Sequence, residues 1–307
     1  MSGAPLVSII VPSFNQGRFL PATLDSILAQ RHRPLEVVVV DGASTDDTLD
    51  VLRRYAAEHE EVRWVSEPDD GPADAVNKGL ALARGEIAGI QSSDDLYLPG
   101  AVDAAVAAFV AEPELGIVYG DASVVDEHGT PTFTTSYLPF SLPRLLCGST
   151  VILQSSTFFR PELARSLGGW RPRYFVMDTD LWIRMAFHAP ARKLPVVLSA
   201  LRRHGEQRDT QTAAIWEGYR SMMRESDDIR RSSLRLRLAA AAGWRMITQH
   251  YNPRPRHRFQ AAQMWTALAI YPPAIRAVAY PERLLPGALT TRWERRHPRS
   301  ARRRPGG

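Results

Sequence analysis

A chain of 307 residues with 44% hydrophobic and 23% charged side chains has ordinary globular composition, which excludes a disordered chain, a collagen-like fibre and a disulfide-stapled mini-protein. Its formal net charge of +5 hides a reversal: residues 1–210 carry 19 basic against 27 acidic side chains, and residues 211–307 carry 19 against 6. Length and this reversal together predict about two domains with a boundary near residue 210.

In chain order, Leu6 to Val11 is a short β-rich run ended by Pro12, and Phe19, Leu20, Leu24, Ile27 and Leu28 follow at helical spacing. Residues 36–41 (EVVVVD) read as a strand buried on both faces. Then come a helix over 45–58, a strand over 62–65, a helix over 72–84, a strand from 85 to 90, a helix over 99–111 and a strand over 116–119. Further on, 149–159 is strand-like, 161–167 is a short helix closed by Gly168 and Gly169, 180–188 is an amphipathic helix and 194–198 a late strand. After 211 the pattern turns helical, with Leu234, Leu238, Ala242 and Met246 on one stripe. Residues 281–307 have no apolar period and are expected to form a basic, flexible tail.

The single cysteine, Cys147, cannot form an internal disulfide, which fits a reducing, cytoplasmic compartment. No basic leader precedes the first apolar run, so a signal peptide is not expected. The longest near-apolar stretch, Met264 to Tyr280, is broken by Pro272, Pro273 and Arg276, short of the about 18 apolar residues of a membrane span. The expectation is a soluble protein, peripheral to a membrane at most.

Strand–helix alternation predicts right-handed βαβ units and an α/β fold with a mainly parallel sheet, in which ligands sit beyond the carboxyl ends of the strands. The residues following each strand are Ser13-Phe14-Asn15, Asp41-Gly42, Glu67 to Gly71, Ser92 to Asp95 and Gly120-Asp121. Adjacent carboxylates such as Asp94 and Asp95 repel unless a cation or donors compensate, and a hard divalent cation shared with phosphate oxygens does so; decoration of a turn before Pro99 is the alternative. Asp41, at the end of the most apolar strand, suits a hydrogen bond to a base or ribose, whereas Ser44, Asp46 and Asp47 read as helix caps. Asp74, Asn77 and Lys78 share one face of the helix that Pro72 opens, either towards a phosphate or sugar or simply towards water.

Taken together, segments 7–20 (VSIIVPSFNQGRFL), 36–48 (EVVVVDGASTDDT), 67–87 (EPDDGPADAVNKGLALARGEI), 91–101 (QSSDDLYLPGA), 119–121 (YGD), 154–160 (QSSTFFR) and 177–185 (MDTDLWIRM) resemble, in order and spacing, a family 2 glycosyltransferase of the GT-A fold. The resemblance implies a Rossmann-like, mainly parallel sheet flanked by helices over residues 1–208, followed by a helical extension over 209–280 and the basic tail. It also implies inverting transfer of a sugar from a nucleotide-diphosphate donor, a UDP-sugar, to an acceptor hydroxyl in cell-surface polysaccharide or glycolipid synthesis. On these grounds Pro12, Ser13 and Asn15 line the nucleotide, Asp41 bonds the base, and Asp70, Asp74, Asn77 and Lys78 belong to the donor site. Ser93, Asp94 and Asp95 form the DXD-like motif, with Asp94 towards the ribose and Asp95 as ligand to manganese or magnesium. Asp178 stands where the family places its catalytic base, with Met177 in place of the usual preceding glutamate and Asp180 in support; first-turn capping of a helix is the alternative.

His204, after the late strand, is a second metal ligand by the same resemblance, and imidazole suits manganese. The basic tail lacks any nucleic-acid-binding module, so nucleic acid is not an expected partner. An anionic membrane surface is the expected partner if the acceptor is lipid-linked rather than a free glycan, with Trp244, Trp265, Tyr271 and Trp293 as candidate anchors and core packing the alternative for Trp244 and Trp265. Rival readings are a metal-dependent nucleotidyltransferase and a catalytically inactive nucleotide-sugar-binding protein of the same fold. The first strand is not followed by Gly-x-Gly-x-x-Gly, which disfavours an oxidoreductase.

Overall fold

The computed structural model describes residues 3–205, 210–251 and 257–278, so the expected tail over 281–307, Trp293 included, lies outside the described residues. Nine strands form one sheet: β1 (Val7–Ser13), β2 (Leu35–Asp41), β3 (Val62–Ser66), β4 (Ile87–Ile90), β5 (Leu96–Tyr97), β6 (Ile117–Val125), β7 (Pro131–Thr134), β8 (Thr157–Phe159) and β9 (Ala191–Arg202). The helices are α1 (Leu20–Leu28), α2 (Thr48–Glu58), α3 (Pro72–Leu82), α4 (Ala101–Ala111), α5 (Leu142–Leu146), α6 (Pro161–Ser166), α7 (Met177–His188), α8 (Thr212–Glu225), α9 (Asp227–Arg231), α10 (Leu234–Met246) and α11 (His257–Ile270). Two compact units result. One comprises Met1–Ser136, Ile152–Pro172 and Met177–His204; the other takes Tyr137–Val151, Arg173–Val176 and the described residues from Gly205 on.

In the first unit the strand order is β3-β2-β1-β4-β8-β6-β9-β5, with β7 on β6. β1 to β4 are parallel, β8 is antiparallel to both β4 and β6, and β9 is parallel to β6, so β6 and β9 run in the direction of β4. The alternation of β2 shows why its valines are continuous: Val37 and Val39 join one apolar cluster with Leu24 and Ile27 of α1, while Val38 and Val40 meet Ala75 of α3 on the other face. Burial on both faces leaves no polar position between Glu36 and Asp41.

Several bounds differ from the sequence expectation. α2 begins at Thr48, because Ser44 to Asp46 are held in a loop by hydrogen bonds described below. β6 continues to Val125, so Asp121 lies within a strand, not at its end, and pairs with Lys193 of β9 (Nζ to Oδ2, 2.6 Å). The expected strand over 149–159 contracts to β8, preceded by a single 3-10 turn at Gln154–Ser156.

The amino-terminal edge of the sheet is locked by one carboxylate. Glu36 Oε1 accepts from the Ser8 hydroxyl (2.5 Å) and from Arg84 N–H (2.7 Å), and its Oε2 accepts from Arg63 Nη2 (2.7 Å). Arg63 also donates to Leu82 O, and Gly85 N–H to the Ser8 hydroxyl, so β1, β2, β3 and the α3–β4 loop meet at one point.

In the second unit α10 packs closely on α5: a Cβ at Gly243 would lie 1.8 Å from Leu146 O. Trp216 of α8 meets Trp244 edge-on at 5.9 Å and Phe259 of α11 at 6.3 Å between ring centroids. The expected α10 stripe is displaced. Leu234 is 62% exposed, and the buried side is Ala239, Ala240, Ala242, Gly243, Trp244 and Met246.

Burial pushes the Glu36 pKa up, but hydrogen bonds from Ser8, Arg84 and Arg63 outweigh it and leave the value lowered. A carboxylate of lowered pKa stabilises the fold above its unfolded-state value and loses that contribution as pH falls through the folded one. Glu36→Gln is therefore expected to lower stability by about 1–3 kcal/mol at neutral pH, with a smaller deficit in acid, measured by urea unfolding at both pH values.

Candidate active site

The carboxyl edge of the sheet carries the polar residues. Ser13, Asp41 and Ser66 end β1, β2 and β3 in register. Asp41 is fully buried; its Oδ2 accepts from Ser44 N–H (2.9 Å) and the Ser66 hydroxyl (2.7 Å), and its Oδ1 from the Ser44 hydroxyl. Ser44 Oγ in turn accepts from Asn15 N–H (2.8 Å), and Asn15 Oδ1 accepts from Thr45 N–H (2.8 Å). Asn15 sits at φ 52°, a left-handed conformation that asparagine tolerates better than most residues. Asp46 completes this clasp by accepting from Gly17 N–H (2.9 Å) and from Thr48. The loops after β1 and β2 are thus laced together, with Asp41 as their anchor and Pro12 and Ser13 beneath them.

Beyond β4 lie Ser92 to Asp95. The Thr23 hydroxyl, from α1, is 2.9 Å from the carbonyls of both Ser93 and Asp95. Asp95 is 2% exposed, and its Oδ1 accepts from Arg202 N–H at the end of β9 (2.9 Å). Arg202 Nε donates to Asp94 O (2.9 Å), and His204 Nε2 lies 2.9 Å from Asp94 Oδ2. Phe19 supports this corner, its ring 4.9 Å from that of His204 and 5.1 Å from the Arg202 guanidinium. Burial, and after it the Asp94 carboxylate, push the Asp95 pKa well above the usual range, against weaker opposing effects of Arg202 and Arg203.

A divalent cation fits this donor set. A buried carboxylate beside a second one, driven towards protonation, is relieved by a hard cation more effectively than by either arginine. Among the described residues no group of three or more His, Cys, Asp or Glu side chains is arranged to hold a metal. His204 Nε2 faces Asp94 Oδ2 across the same corner.

On α3 the expected donor face splits. Lys78 pairs with Glu67 (2.8 Å) and Asp74 (3.0 Å), and Asp74 Oδ2 also accepts from Asp70 N–H (3.3 Å). Asn77 faces the turn that ends at Trp170. Its amide donates to Trp170 O and accepts from Trp170 N–H, each at 2.8 Å. The adjoining Gly169, at φ 62°, has no room for a Cβ, which would lie 2.2 Å from Asn77 Oδ1.

The same turn is held from α7. Arg184, 1% exposed, donates to Leu167 O (2.6 Å) and Gly169 O (2.5 Å) while pairing with buried Asp180 (2.8 Å). Asp180 is therefore the internal counter-ion of this grip. Asp178, partly exposed, opens α7. The helix packs on β8 through Trp182 and Phe159 (5.2 Å) and ends beside Pro190, whose carbonyl accepts from Gly116 N–H ahead of β6.

Sequence reasoning did not single out Thr23, Phe19, Arg202 or Gln91. Both ends of the Gln91 amide, the Tyr97 hydroxyl and the Ser13 hydroxyl are buried without a hydrogen bond among the described residues. Orphan polar atoms beside the paired carboxylates mark a strand edge built for more than packing. The one available signal for Gln91 was a polar amide directly after an apolar strand.

Parallel and antiparallel strands in one sheet, with polar loops gathered at one edge, define a mixed α/β fold. Residues 8–160 match the family described as glycosyl transferase family 2. A PGL/p-HBAD biosynthesis glycosyltransferase of Mycobacterium bovis is 36% identical over 211 residues, covering 66% of this chain and 78% of that protein. An uncharacterized glycosyltransferase of Mycobacterium tuberculosis is 30% identical over 225 residues, 72% of this chain and 84% of the relative. Among solved structures, S. aureus TarS 1-349 in complex with UDP-GlcNAc superposes with a TM-score of 0.66 at 20% identity, over 91% of this chain and 82% of that one. A mannosyltransferase from Pyrobaculum calidifontis, in complex with GDP-Man and Mn2+, gives 0.61 at 23% identity over 95% and 80%. The chain belongs to glycosyltransferase family 2, and its sheet is that of a GT-A enzyme.

Removing one partner of a buried ion pair strands the other charge at a cost of about 3–5 kcal/mol. Arg184→Met is expected to destabilise the enzyme by that amount in urea unfolding, more than Arg165→Met, whose pair with Glu162 reaches the surface.

Proposed function

We propose that the enzyme transfers a sugar, with inversion, from a UDP-sugar to a hydroxyl of a glycan or lipid-linked acceptor, and that the transfer depends on manganese or magnesium. The observation that carries this reading is Asp95, a buried carboxylate beside Asp94 at the carboxyl end of β4, with its pKa driven up by burial and then by the Asp94 charge. The donor complexes of TarS and of the mannosyltransferase support a nucleotide-sugar substrate, and the Mn2+ of the latter supports a metal. The PGL/p-HBAD biosynthesis name of the mycobacterial relatives supports a glycolipid-type acceptor, and the positive excess after residue 210 suits an anionic membrane as the place of work.

Asp95, with Asp94 behind it, would hold a divalent cation, which would supply charge neutralisation to the departing diphosphate. The protein's own residues do the rest. The clasp anchored by Asp41 and carried by Ser44 and Asn15 shapes the nucleotide pocket, with Asp41 acting through Ser44 as well as on the base. Asp94 is oriented by His204. Asp178 takes the proton of the acceptor hydroxyl as its oxygen bonds to the anomeric carbon and the bond to the diphosphate breaks. Attack from the face opposite the leaving group inverts that carbon. Base and cation therefore belong on separate segments, which α7 and the β4 edge provide.

A panel of nucleotide-diphosphate sugars, assayed with and without chelator and with the product anomer read by NMR, tests the proposal. Consumption of a UDP-sugar, its loss on chelation and an inverted product are expected. Asp178→Asn is expected to keep UDP binding while transfer falls by at least about 100-fold. Wild-type turnover by that variant removes Asp178 as the base, and a retained anomer removes the mechanism.

A further inference from the structure

We propose that the outer face of α11, with the turn that follows it, docks on an anionic lipid membrane. The proposal rests on the reading of a lipid-linked acceptor given above and names the surface involved. α11 buries Gln260, Ala261, Met264 and Ala267. Its other side, at spacings of four, three and four residues, presents Arg258, Ala262, Trp265 and Ala269, all exposed on one stripe. The 3-10 turn at Pro272–Ala277 then exposes Pro272, Pro273, Ile275 and Arg276. Trp265 is 57% exposed and Ile275 55%.

The outer face of a surface helix ordinarily carries polar side chains. Here it carries alanine, tryptophan and one threonine, Thr266, whose hydroxyl is turned back to Ala262 O, with an arginine at each end and no carboxylate in the sequence from Arg258 to Arg276. Charge decides the occupant. Residues 211–307 hold 19 basic against 6 acidic side chains, so pairing this face with the same face of a second copy would bring like charge against like. Anionic headgroups are complementary to that excess, while an indole and small apolar side chains suit the boundary between headgroups and acyl chains.

Co-sedimentation of the full chain with vesicles of phosphatidylglycerol and phosphatidylcholine, compared with phosphatidylcholine alone, tests the surface. Binding to the anionic vesicles that weakens with salt is expected. The double substitution Trp265→Ser, Ile275→Ser is expected to cut the bound fraction at least about tenfold, and Arg258→Gln, Arg276→Gln to abolish the preference for anionic lipid. UDP binding in solution, measured in parallel, should stay at the wild-type level in both variants, which separates lost docking from lost folding. Unchanged vesicle binding in either variant overturns the proposal. So does self-association of the chain that the substitutions abolish while vesicles go unbound. Vesicle binding that obeys these rules in a protein with no sugar transfer sustains the surface and removes the functional reading instead.

Discussion

Asp95 is taken out of water at the carboxyl end of β4, next to a second carboxylate, and the neighbouring structure is arranged around keeping it there. A charge so placed is costly, and a polypeptide would ordinarily protonate it or pair it. Here the nearest donor is the Arg202 N–H, a backbone group of fixed position, while the Arg202 side chain turns to Asp94 O and Glu127 O. Thr23 fixes the peptide carbonyls on either side of Asp94, and Phe19 backs both His204 and Arg202. The loop is made rigid while its negative charge is left under-compensated. Rigidity with unmet negative charge is what electrostatic pre-organisation towards a cationic guest requires.

That arrangement is affordable because the opposite edge of the same sheet is closed. Glu36 ties three strands and a loop with three donors, from Ser8, Arg63 and Arg84, and the apolar residues of β1, β2 and β4 bury between the two edges. Parallel pairing forces the division: once the strands share a direction, every loop that can bind a ligand emerges at one edge. The grip of Asn77 and Arg184 on the Gly168–Trp170 turn then joins α3 to α7, so the helix that begins with Asp178 is fixed to the same framework. Function and stability are thereby assigned to opposite ends of a shared core.

Much of this was legible before any coordinates. The run of valines before Asp41 announces a strand buried on both faces, and the paired acids after a glycine-led strand announce a charged strand end. Three features were hidden for physical reasons. Asp121 stands four residues into β6 because its charge is met by Lys193, 72 positions away in sequence, and no local pattern reports such a partner. Asn77 has helical spacing with Lys78 and Asp74, yet its amide is claimed by the backbone of Trp170, a contact of 93 positions. Arg202 reads as one more arginine in an arginine-rich chain until β9 delivers its N–H to Asp95. In each case the chemistry was visible in the residue type and the partner was set by topology. Leu234 is the converse: its spacing with Leu238 and Ala242 is helical, but packing against α5 favours the small residues one turn on, and leucine is left outside.

The most direct measurement is calorimetric titration of UDP into the full chain with and without manganese, for the wild type and Asp95→Asn. If the paired carboxylates hold the cation that neutralises the diphosphate, manganese tightens UDP binding to the wild type by at least about tenfold and leaves Asp95→Asn unchanged. An equal manganese effect in both proteins would contradict that role and move the cation, and the chemistry assigned to it, away from β4.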